Sequence, residues 1–198
     1  MWKSIFYNVV AKTDSLEKND EKLFHQSVNE IYDDILALQL ALVEYRQNSG
    51  QYGSAHLISF ALTAYCDERL NLLALSMGVD YEMLQTRLFN TLSAGKLFYE
   101  YLEYLLAEPS QLTHTYWAYY FLLMHGYKGM YDLDSHFQRN LYLRQLKLLV
   151  VDRAGTVKYE KKRLKLKYRN ISSVVPLTMY WVVPALCLVS VYVVINYL

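Results

Sequence analysis

The chain has 198 residues, 54% of them hydrophobic, with twenty Tyr, two Cys and a formal net charge of +1. That length holds one well-packed soluble domain beside any membrane segment, and two cysteines exclude a disulfide framework. The charge is unevenly placed: seven bases, Lys158, Lys161, Lys162, Arg163, Lys165, Lys167 and Arg169, face one acid, Glu160. The rest of the chain is therefore mildly acidic, which excludes a nucleic-acid-binding body, because engaging phosphates needs a basic face.

Met1 to Lys12 is too short in apolar content for a signal peptide and has no small-residue cleavage pattern. With Thr13 to Asp20 it reads as an N-terminal polar segment, 1–20. Apolar residues then recur as Phe24, Val28, Ile31, Ile35, Leu38, Leu42 and Tyr45, in alternating steps of four and three, which lines one face of a long helix. Asn48 to Gly53 is a turn. Ser54 is placed to cap a second helix from about Ala55 to Met77, closed by Gly78, where a left-handed residue is easiest. Asp80 is placed to cap a third, shorter helix to about Asn90. A fourth runs from about Ala94 to Ala107 and stops before Pro109, because the residue preceding proline disfavours helical dihedrals. Ser110 caps a fifth that ends at Gly126. Gly126 to Asp132 (GYKGMYD) is the most turn-like stretch of the body, and Asp134 or Ser135 opens a sixth helix to about Val151. No alternating run is long enough for a strand. The expectation is an all-α protein: a helical domain over 21–155, a bundle of about six helices, then a basic segment over 156–170 and an apolar one over 171–198.

Val174 to Leu198 contains no Asp, Glu, Lys, Arg or His. About 20 residues at 1.5 Å each cross a hydrocarbon core of roughly 30 Å, so this run reads as one transmembrane helix. The basic segment upstream places the N-terminal body in the cytoplasm and the C-terminus across the membrane. It also suits contact with anionic headgroups without selecting one lipid.

Residue patterns for catalysis are sparse. His25, His56, His114, His125 and His136 include no pair four apart on one helix and no Glu three residues before a His, so no metal or cofactor is expected. Cys66 lies in an apolar run and reads as a buried small hydrophobe. Asp67 and Glu68 interrupt the apolar run His56 to Leu75. Neighbours on a helix diverge by about 100°, so the two carboxylates do not serve one small site as an acid/base pair. They either pair internally, with Arg69 adjacent, or mark a groove, and the pattern leaves both open.

Three stretches taken together, Ala61 to Leu70 (ALTAYCDERL), Gly95 to Pro109 (GKLFYEYLEYLLAEP) and Tyr119 to Tyr131 (YYFLLMHGYKGMY), resemble in order and spacing the DotU family, also called TssL or ImpK. The resemblance covers about residues 20 to 198. A small-apolar helix ending in an Asp-Glu pair is matched by Asp67 and Glu68. A Gly, an aromatic pair and a Leu-rich stretch ending in Pro are matched by Gly95, Phe98, Tyr99, Leu102, Leu105, Leu106 and Pro109. A Leu-Gly-Phe-x-Gly-x-Tyr signature is matched by Gly126, Tyr127, Gly129 and Tyr131, with His125 and Tyr127 as departures.

The resemblance implies an inner-membrane component of a bacterial type VI or type IVb secretion system, with a cytoplasmic body of two small helical bundles, a single crossing and no enzymatic activity. It implies as partners an IcmF-like (TssM) membrane protein, a TssK-like baseplate component, the lipid bilayer and further copies of the chain. Some members carry a peptidoglycan-binding domain beyond the membrane; with the sequence stopping at Leu198, any cell-wall contact is expected from a partner. Asp67 and Glu68, if their groove is open, offer fixed negative charge to a basic partner surface. Two other classes fit less well. A tail-anchored regulator of Bcl-2-like type would carry an Asn-Trp-Gly-Arg signature, which is absent; a membrane-tethered enzyme would need an unfamiliar site.

Overall fold

The structure of the protein, a computed structural model, describes residues 1–17, 20–43, 52–107, 113–131 and 136–154. Pro109, the seven bases from Lys158 to Arg169, the caps Ser110, Asp134 and Ser135, and the apolar run 171–198 lie outside the described residues. Among the described residues no helix is long and apolar enough to cross a membrane. The chain divides into two compact units, Met1–Tyr159 and Glu160–Leu198, and every described residue belongs to the first.

The described residues form seven helices and no strand. The first, α1 (Trp2–Asp14), is one more than the sequence led us to expect. Its buried positions, Trp2, Phe6, Val9, Val10 and Thr13, make a single stripe, so the segment 1–20 holds a core helix followed by a short polar connection. In α2 (Glu21–Leu42) the expected stripe from Phe24 to Leu42 is buried throughout, and each such side chain contributes roughly 1.5–3 kcal/mol of transfer free energy.

The central element is α3 (Ser54–Met77). Every residue from Leu57 to Asp67 is buried, and α1, α2, α4, α5 and α6 all pack on it. Small residues make this possible. Ser59, Ala61, Thr63, Ala64 and Cys66 let neighbours approach from several sides, and the hydroxyls of Ser59 and Thr63 donate to the carbonyls of Ala55 at 2.6 Å and Ser59 at 2.9 Å, so they cost little when buried. Burial pushes the Cys66 thiol up to about 12, in keeping with a packing role. The helix starts after Gly53, with Ser54 as its first residue and not its cap. Gly78 ends it at φ +70°, and the Val79 N–H reaches the Ala74 carbonyl at 3.1 Å, closing the left-handed turn expected from sequence.

The third expected helix is shorter than its pattern. α4 (Leu84–Phe89) begins after Met83, not at Asp80, and ends on left-handed Asn90. Beyond it lie α5 (Ala94–Ala107), α6 (Thr113–Met124) and α7 (His136–Ala154). Around α3, α1 packs on α2 and α6 packs on α7, while Phe6 of α1 meets Trp117 and Phe121 of α6 at ring centroids 5.4 and 5.7 Å apart. Tyr116 ties α6 to α5 by donating to the Leu105 carbonyl at 3.1 Å, and Tyr142 ties α7 to α5 by donating to Glu103 at 2.6 Å.

Candidate functional site

The C-terminal half of α3 carries Asp67 and Glu68, and the structure sends the two carboxylates to different loops. Asp67 is buried. Its Oδ1 accepts the Leu84 N–H at 2.8 Å and the Tyr81 hydroxyl, and its Oδ2 accepts the Gln85 N–H at 2.8 Å. The side chain thus caps the N-terminus of α4 from another helix, which explains why α4 starts without a cap of its own. Bonds of this charge-assisted kind contribute roughly 1.5–3 kcal/mol each. Burial raises the Asp67 carboxyl above its ordinary range, while the bonds from Tyr81, Gln85 and Leu84 pull it part of the way back. Gln85 repeats the device, accepting the Ala94 N–H at 2.7 Å where α5 begins.

Glu68 turns toward the connection after α6. Its Oε2 accepts the Gly129 N–H at 2.7 Å and the Lys128 N–H at 3.1 Å. The same short turn is held at five further points. Arg69 donates to the His125 carbonyl at 3.0 Å, and Arg139 to the Tyr127 carbonyl at 3.0 Å and to the Leu123 carbonyl. Tyr99 donates to the Lys128 carbonyl at 2.8 Å. The Met130 N–H reaches the Gly95 carbonyl at 3.3 Å.

The signature glycines take their meaning from this turn. Gly126 and Gly129 have φ of +90° and +59°, a region that L side chains enter at a cost. A Cβ on Gly129 would lie 2.9 Å from the Gly95 oxygen, and one on Gly95 would lie 3.3 Å from the Gly129 carbonyl carbon. Both positions therefore serve one backbone-to-backbone approach. The signature aromatics pack beneath it: Tyr127 is buried with its ring 4.4 Å from Phe98, and Tyr131 stands edge-on to Tyr99 at 4.4 Å. Burial raises the Tyr127 and Tyr99 hydroxyls above their ordinary range. What the turn shows to solvent is His125, Lys128 and Met130.

Of the residues singled out from sequence, Gly95, Phe98, Tyr99, Gly126, Tyr127, Gly129 and Tyr131 come together with Glu68. Asp67 points away to α4, so the pair shares no cleft, and Asp67 offers no open negative charge. Sequence reasoning missed Tyr81, Gln85 and Arg139. A groove of about 650 Å³ lies beside Tyr81, lined by His25, Asn29, Asp80, Glu82 and Arg87 among others. Arg87 is held there over the Tyr32 ring at 4.0 Å. Among the described residues no group of three or more His, Cys, Asp or Glu is placed to hold a metal ion.

The fold is that of solved secretion proteins. A structure described as DotU from Francisella novicida is 23% identical, covering 74% of this chain and 95% of its own, with a TM-score of 0.67. The crystal structure of type VI secretion SciP/TssL from enteroaggregative Escherichia coli 042 is 21% identical, covering 80% and 92%, with a TM-score of 0.57. At these identities the likeness speaks for the fold alone. No curated protein matches the chain in sequence. The family model described as type VI secretion system protein DotU matches residues 7–198, from within α1 through the turn signature to Leu198, and the chain belongs to that family.

Proposed function

We propose that the chain is a non-catalytic structural component of a type VI secretion membrane complex, linking a cytoplasmic baseplate to the inner membrane. The body, 21–155 with α1, stands in the cytoplasm; residues 171–198 cross the membrane once, and the C-terminus is periplasmic. Its partners are an IcmF-like (TssM) membrane protein, a TssK-like baseplate component and other copies of the chain. The basic residues of 156–170 retain the crossing by their attraction to anionic headgroups.

The observation that carries this reading, beside the family match, is how the motif carboxylates are used. Both are spent on backbone N–H groups, so the motif builds the shape of two loops and leaves no free acid for proton transfer. Asp67 and Glu68 act on a partner through the loops they hold. The contact itself falls to exposed groups such as Lys128 and Met130.

The test is crosslinking in native membranes, followed by identification of what is retained with the wild-type chain, with K128E/M130E and with E68Q. The IcmF-like and TssK-like proteins are expected with wild type. K128E/M130E should lose at least one of them while the circular-dichroism spectrum and Tm stay unchanged. Retention of no secretion component by the wild type, or full retention by both variants, overturns the reading.

A further inference from the structure

One surface of the body lies outside the groove and adjoins the turn only at His125. Trp117 and Phe121 of α6 and His125, the first residue after it, recur every four residues and stack, with centroids 5.3 Å and then 4.1 Å apart and planes within 27° of parallel. Tyr7 of α1 stands edge-on to two of these rings, at 5.5 Å from Trp117 and 5.2 Å from Phe121. Lys3 places its ammonium 4.8 Å from the Trp117 centroid. Tyr7 is 47% and Met124 59% exposed, Lys3 and His125 are also exposed, and Trp117 and Phe121 are half-buried, with one part of each packed on the core.

Two features decide what such a face suits. Residues 113–131 contain no Asp or Glu, and the one acid of α1, Asp14, lies eleven residues from Lys3 and accepts the Tyr65 hydroxyl at 2.6 Å, so neither element sets an acid beside the cation at the edge of this face. The rings lie along one helix and take no part in lining the groove beside Tyr81. Indole and phenol rings beside a long-stemmed cation fit the headgroup layer of a bilayer, where the ring bodies sit in apolar surroundings and their polar edges stay wet. Anionic headgroups supply opposite charge to Lys3.

We propose that the α1/α6 aromatic face rests on an anionic bilayer surface, with Lys3, Tyr7, Trp117 and Phe121 as its contact. The proposal rests on the membrane crossing at 171–198 only for proximity: a tethered body meets the bilayer at high effective concentration. Attraction to anionic lipid is screened by salt, whereas ring burial is not.

The experiment uses the full chain carrying W181F, so that Trp2 and Trp117 alone report, reconstituted into phosphatidylcholine vesicles with and without about 30% phosphatidylglycerol. Flotation with either vesicle reports the anchor. Quenching of tryptophan emission by shallow bromolipid reports the face. At least twofold stronger quenching is expected in the anionic vesicles, reduced to the neutral-lipid level by K3E/Y7E and weakened by 0.5 M salt. Equal quenching in both lipids, or quenching indifferent to K3E/Y7E, overturns the proposal. So does Tyr7→Cys forming crosslinks between two copies, or to an acidic protein, at the same yield without anionic lipid. If the chain does not float, the anchor reading fails by itself, and the same lipid and variant dependence is then required with vesicles added from outside.

Discussion

At Gly129 two separate demands fall on one residue. Its φ of +59° costs an L side chain roughly 1–2 kcal/mol, and its missing Cβ leaves room for the Gly95 oxygen, which would otherwise stand 2.9 Å away. Gly78 makes only the first demand: its φ is +70° and nothing lies within 4 Å of the added atom. The pair therefore separates backbone strain from close approach. Gly78→Ala should cost about 1 kcal/mol and Gly129→Ala about 3 kcal/mol. At about 2–4 °C of Tm per kcal/mol for a chain of this size, circular-dichroism melts should place G129A several degrees below G78A. Coincident melts would mean that α5 and the turn do not touch. The clash at Gly129 depends on a residue 34 positions earlier in the sequence, which is why the turn signature was legible as a turn but its contact with Gly95 was not.

Among the elements, legibility followed the number of buried faces. α2 has one, so burial imposes the four-and-three spacing and the stripe is readable in the sequence alone. α3 is buried nearly all round, so its limits were set by Gly53 and Gly78 and its central place was not visible in any periodicity. α4 is shorter than its pattern suggests because its start is fixed by Asp67, 17 residues upstream, and no local cap marks it. α1 is hard to read from the sequence because its stripe is short and a polar connection follows. Yet Phe6 is fully buried, and the Thr13 hydroxyl sits 2.8 Å from the Val9 carbonyl and 3.3 Å from Cys66 Sγ. If α1 belongs to the core, Phe6→Ala should cost about 3–5 kcal/mol, whereas exposed Ser4→Ala should stay within about 0.5 kcal/mol. Denaturant titration distinguishes them. An F6A curve superposed on wild type would reduce α1 to an appendage.

For the molecule as a whole, α3 is a hub from which two adjacent carboxylates reach in different directions. Asp67 fixes α4 and the wall of the groove beside Tyr81; Glu68 fixes the turn between α6 and α7. They are neighbours in sequence, but they share no hydrogen-bond partner. Pairs in one network couple by about 0.5–3 kcal/mol, and independent pairs add within about 0.3–0.5 kcal/mol. D67N and E68Q should each destabilise the body, because each leaves backbone N–H donors without their anionic acceptor. A double-mutant cycle should nevertheless give a coupling no larger than about 0.5 kcal/mol. Hydrogen exchange should show the division directly, with D67N raising exchange at Leu84 and Gln85 and E68Q raising it at Lys128 and Gly129, neither spreading to the other loop. A coupling well above 1 kcal/mol would mean that the two carboxylates work on one cleft after all. Additivity would mean that the Asp-Glu motif shapes two surfaces independently, leaving each free to meet a different partner.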